Sequence, residues 1–70
     1  MMPLVLARTG EKVTIGKVGG SGEVKRFLES LGFVVGAEVT IVSEMSGNFI
    51  VKVKDSRVAV SKEMARRIMV

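Results

Sequence analysis

Val24, Phe27, Leu28 and Leu31 recur at i, i+3, i+4 and i+7, one apolar stripe on an α-helix, while Lys25, Arg26 and Glu29 fall on the wet face. Ser21 stands where a hydroxyl caps the first turn, and Gly32 sits just past the last apolar position, where a left-handed backbone suits glycine alone. The pattern therefore predicts a helix that stops at Gly32 in a Schellman-type ending, with Phe33 folding back on Leu28. Val34 to Ala37 then reads as a type II turn with Gly36 at its third position. From Glu38 the period changes from 3.6 to 2. Val39 and Ile41 alternate with Glu38 and Thr40, and Phe49, Val51 and Val53 share one face against Lys52 and Lys54 on the other. Met45-Ser46-Gly47-Asn48 predicts a hairpin loop and Asp55-Ser56 a tight turn, after which Arg57 to Val60 pairs back as a further strand. Ser61 caps a single helical turn through Ala65, and Ile68 to Val70 forms a last short strand whose simplest use is to close against an early one.

Before the helix the pattern is weaker. Val13 and Ile15 alternate with Lys12 and Thr14 as in a half-buried strand, and Gly16 shifts the parity of Val18, which suggests a bulge. Leu4-Val5-Leu6-Ala7, bounded by Pro3 and Gly10, reads as a first strand or an extended docking segment. Together these elements predict a mainly β fold, a small, partly open barrel of five to six short strands with one α-helix inserted after the second strand. Seventy residues make one domain, 1–70.

Charge and composition narrow the chemistry. A net charge of +4 favours anionic partners and also lies within the ordinary range for solubility. No apolar run approaches a membrane span and the first residues lack the features of a signal peptide, so a cytoplasmic protein without membrane insertion of its own is expected. Histidine and cysteine are absent, which removes the usual nucleophile–base pairs and the imidazole and thiolate ligands of zinc and iron. The seven carboxylates are scattered through turns, wet faces and caps, as solvated surface charge is. Gly19-Gly20-Ser21-Gly22 precedes a helix but lacks the spacing and the lysine–hydroxyl pair of a phosphate loop. No catalytic, cofactor or metal residue is nominated. Lys52, Lys54 and Arg57 form a basic strip on adjacent strands, next to the apolar corner residues Phe33, Val34 and Val35. These six are the candidate partner-binding residues.

The residues Phe27-Leu28-Glu29-Ser30-Leu31-Gly32-Phe33-Val34-Val35-Gly36, Val39-Thr40-Ile41-Val42, Gly47-Asn48-Phe49-Ile50-Val51, Ser56-Arg57-Val58-Ala59-Val60 and the closing Ala65 to Val70 resemble the FeoA family. Those are small accessory proteins of bacterial ferrous iron transport. The same module resembles the C-terminal SH3-like domain of iron-dependent repressors of the diphtheria toxin repressor type. The resemblance runs from about Pro3 to Val70; at the corner, where the family often has Pro-Gly, this chain has Val35-Gly36. It implies an SH3-like barrel without enzymatic activity that contacts the cytoplasmic part of a GTP-driven ferrous iron permease, FeoB, with Fe²⁺ handled by that partner. A repressor would need a helix-turn-helix region, which these residues lack. The alternative from another class is a basic small barrel that binds nucleic acid. The barrel's oligomeric state is left open by the sequence.

Overall fold

The computed structural model describes all 70 residues. Two antiparallel sheets carry the fold, with strands β1 (Lys12–Thr14), β2 (Lys17–Val18), β3 (Glu38–Met45), β4 (Asn48–Val53), β5 (Ser56–Ser61) and β6 (Ile68–Met69). One sheet has the order β1-β3-β4-β5 and the other pairs β2 with β6. Gly16 lies where the chain leaves the first sheet for the second, so the parity change predicted there is a change of sheet. The helix α1 (Gly22–Ser30) follows β2, and a four-residue helix α2 (Lys62–Ala65) separates β5 from β6. This is the expected mainly β, partly open barrel, since neither sheet closes on itself.

Helix caps follow the sequence signals. The Ser21 hydroxyl accepts from the Val24 N–H at 3.3 Å, and the Ser61 hydroxyl accepts from the Met64 N–H at 3.2 Å. The last strand does close against early residues, through Lys17↔Met69 and Val18↔Ile68, and Met2 and Val70 exchange both backbone bonds at 2.8 Å. These bonds tie β6 into the barrel.

The thirteen buried residues form one apolar cluster and include no polar side chain. Val39 and Ile41 of β3 and Phe49, Val51 and Val53 of β4 supply the sheet's inner face, as their alternation predicts. Val60 of β5 belongs to the same face, and Leu4, Ile15, Val18, Leu28, Phe33, Ala65 and Ile68 cover it. A register shift between Ile41 and Ser43 marks a bulge at Val42, past which the strict alternation of β3 ends.

Three expectations need correction. Leu4–Leu6 is a turn of 3₁₀ helix with Leu4 buried, not a strand; only Pro3 makes a bridge, to Met69. Four consecutive apolar residues have no period, so the pattern could not tell the two apart. Phe27 is 49% exposed although it falls in the helix stripe: Leu28 takes the one fully buried position of the nine-residue helix, with Val24 partly buried against the core. The turn predicted at Asp55-Ser56 falls one residue earlier, at Lys54-Asp55, and leaves Ser56 paired with Val53.

Candidate interaction site

The helix ending builds the site. The Phe33 N–H donates to the Leu28 carbonyl and the Gly32 N–H to that of Glu29, each at 3.0 Å, the two bonds of a Schellman motif. Gly32 has φ +104°, and a Cβ there would lie 2.8 Å from Val53 Cγ1. Glycine is thus required twice, by the backbone and by the approach of β4. Beyond it the Ala37 N–H donates to the Val34 carbonyl at 3.0 Å around Gly36, whose φ is +91°, as in a type II turn. The turn is pinned to the segment after β1: the Gly36 N–H donates to the Ile15 carbonyl at 2.8 Å and the Ile15 N–H to that of Ala37 at 2.9 Å.

This rigid corner sorts its apolar residues. Phe33 was expected at the contact surface but is fully buried, held inward by its bond to Leu28; it supports the turn from beneath and cannot itself meet a partner. Val34 and Val35 point outward, 37% and 68% exposed. Next to the turn, three lysines stand around one carboxylate, Glu38. A shallow groove of about 310 Å³, lined by Lys12, Ala37, Glu38, Thr40, Lys52 and Lys54, begins where the turn ends at Ala37. Arg57 stands on β5 directly across from Lys52.

The structure therefore brings Val34, Val35, Lys52, Lys54 and Arg57 to one end of the barrel and adds Lys12. The register runs Lys12↔Thr40, Thr40↔Lys52 and Lys52↔Arg57, so three cations and a threonine form one row across the four strands. Lys12 was legible as a wet-face residue of a short strand. Its place in this row was not, because it depends on pairing between β1 and β3, which are far apart in sequence.

Nothing in the arrangement activates a nucleophile or moves a proton. No group of three or more carboxylates converges as a metal site would need. The row is free of aromatic side chains: Phe33 and Phe49 are buried and Phe27 lies on α1. What the site offers is positive charge, one threonine hydroxyl and two exposed valines.

The FeoA domain family model matches residues 2–70. The chain belongs to the FeoA family. It is 34% identical to "Putative Fe(2+) transport protein A" of Methanocaldococcus jannaschii over all of this chain and 85% of that one. Among solved structures, the zinc complex of Stenotrophomonas maltophilia FeoA, described as a prokaryotic SH3 domain protein, superposes with a TM-score of 0.85 at 25% identity, covering 99% of this chain and 88% of that one. A manganese-dependent transcriptional repressor shares the fold at 19% identity and TM-score 0.82, over 94% of this chain and 38% of the repressor. The expected link between FeoA and such repressors is therefore a link of fold. FeoA is an accessory domain of ferrous iron transport and not an enzyme family, and this FeoA chain is an SH3-like module with the same architecture. No helix in it is long and apolar enough to cross a membrane.

Proposed function

We propose that this FeoA chain is a non-enzymatic cytoplasmic accessory of ferrous iron uptake that acts by docking on the cytoplasmic part of the permease FeoB. The observation that carries this reading is the corner itself, where Val34 and Val35 stand exposed on a turn held by five backbone bonds beside Lys52 and Lys54. A preordered apolar tip flanked by charge loses little entropy on binding and suits a protein surface with an apolar centre and an acidic rim. Fe²⁺ is handled by the permease in this reading, since hard and borderline cations need converging oxygen, imidazole or thiolate ligands and this chain offers scattered carboxylates. Nucleic acid is a weaker reading, because the basic row has no stacking residue.

The test is capture of FeoB from detergent-solubilised membranes by the tagged chain. Retention by the natural chain, and its loss with Val34→Asp at unchanged melting temperature, is expected. Equal retention by both would remove the corner from the interface.

A further inference from the structure

We propose that the free edge of β5 accepts an extended acidic segment of another protein as a fifth strand of the four-stranded sheet. This inference concerns the strand edge, which shares Arg57 and Lys52 with the basic row, and it holds whichever protein supplies the segment.

β5 is an outer strand of the order β1-β3-β4-β5 and matches its neighbour β4 residue for residue from Ser56↔Val53 to Ser61↔Asn48 without a bulge. The two-residue turn Lys54-Asp55 fixes the hydrogen-bond parity, since the residues flanking such a turn exchange both backbone bonds. Ser56, Val58 and Val60 therefore bond to Val53, Val51 and Phe49, and the N–H and C=O groups of Arg57 and Ala59 aim away from the sheet. Neither residue makes a backbone bond to any loop, turn or cap elsewhere in the chain, and both are exposed. Folded proteins usually blunt such an edge with proline, a bulge, short length or several charges. The opposite edge, β1, is only three residues long. β5 has six residues, no proline and a single cation.

The side chains specify the occupant. On the outer face an added strand would extend the row Lys12–Thr40–Lys52–Arg57 by one position, so an acidic residue there meets Arg57 with Lys52 behind it. On the inner face the neighbouring position lies beside the half-buried Val58, which favours an apolar residue. The fitting segment thus alternates acidic and apolar residues, with main-chain bonds giving affinity and the two faces giving specificity. A second copy of this chain fits less well. Antiparallel pairing of two β5 strands about Ala59 sets Arg57 against the other copy's Ser61, next to Lys62, and brings together two chains of charge +4.

The experiment uses a blocked peptide of alternating Glu and Val and follows backbone amide exchange in the intact, isotope-labelled chain. At a peptide concentration ten times the Kd measured by shift titration, the Arg57 and Ala59 amides should exchange about tenfold more slowly, following 1 + [L]/Kd. Val58 and Val60, already bonded to β4, should be protected before any peptide is added, whereas Arg57 and Ala59 should gain protection only with it. A Lys–Val peptide of the same length should give no protection. Ala59→Pro removes an outward donor, which edge strands tolerate, and should abolish the effect. Arg57→Glu keeps every backbone bond and should weaken binding about tenfold or more, so it decides the matter if the proline variant does not fold. No saturable shift change at millimolar peptide overturns the proposal. So does equal protection in Arg57→Glu, or shift changes along the basic row with Arg57 and Ala59 still exchanging freely. Protection that grows with protein concentration and needs no peptide would assign the edge to a second copy and overturn it too.

Discussion

Replacing Gly32 with alanine should be far more damaging than the same change at Gly36, although both residues have positive φ, +104° and +91°. A side chain in a left-handed backbone costs roughly 1–2 kcal/mol. At Gly36 nothing lies within 4 Å of the new Cβ, so that strain is the whole cost. At Gly32 the Cβ falls 2.8 Å from Val53 Cγ1, and Val53 is itself buried between β3 and β5, so the clash adds the ~1–3 kcal/mol typical of overpacking. The expected losses are therefore about 1–2 kcal/mol for Gly36→Ala and about 2–5 kcal/mol for Gly32→Ala. In a domain of this size each kcal/mol moves the melting temperature by about 4–8 °C, and total stability is about 4–10 kcal/mol, so Gly32→Ala approaches the limit of folding. Thermal and urea melts followed by circular dichroism on the two variants, side by side, measure the difference. Equal losses would refute the close approach of Val53 to the corner, and a larger loss at Gly36 would refute the assignment of Gly32 as the residue that ends the helix.

Leu28→Ala should cost ~2–5 kcal/mol, whereas Leu31→Ala, on a half-buried residue, should cost about 1–2 kcal/mol; a urea melt that reversed the order would place the helix stripe differently. Val35→Pro should be neutral or stabilising by about 0.4–1 kcal/mol, because Val35 is the second residue of the type II turn and its N–H bonds to no other backbone group; a melting temperature lowered by more than a few degrees would count against that turn. Calorimetric titration with Fe²⁺ under anaerobic conditions, and with Zn²⁺, should find no stoichiometric site of micromolar affinity or better; finding one would show that oxygen ligands converge after all.

Much of this fold was legible because short-range signals agree with one another. The stripe from Val24 to Leu31, the Ser21 cap and Gly32 all define one helix, and the alternation of Phe49, Val51 and Val53 defines one buried sheet face. The stretch Leu4–Leu6 carries no such agreement, and only contact with the rest of the barrel makes it a 3₁₀ turn. At the site, sequence placed Val34, Val35 and the β4–β5 cations correctly on the surface. It also placed Phe33 there, although the Schellman bond that the same residues predict turns that ring inward. Lys12 was missed as a site residue because a short strand does not announce its partner. The open edge of β5 was hidden for the same reason: an edge is a property of strand order, which local pattern does not encode.

The central claim is that the corner and its basic groove meet the permease. Titration of the isotope-labelled chain with the purified cytoplasmic part of FeoB, read as backbone amide shift changes, tests it residue by residue. The largest changes should fall on Val34, Val35, Ala37, Lys52 and Lys54 and fade in Val34→Asp, with α2 unaffected. Changes confined to α2 and β6, or no saturable change at all, would contradict it.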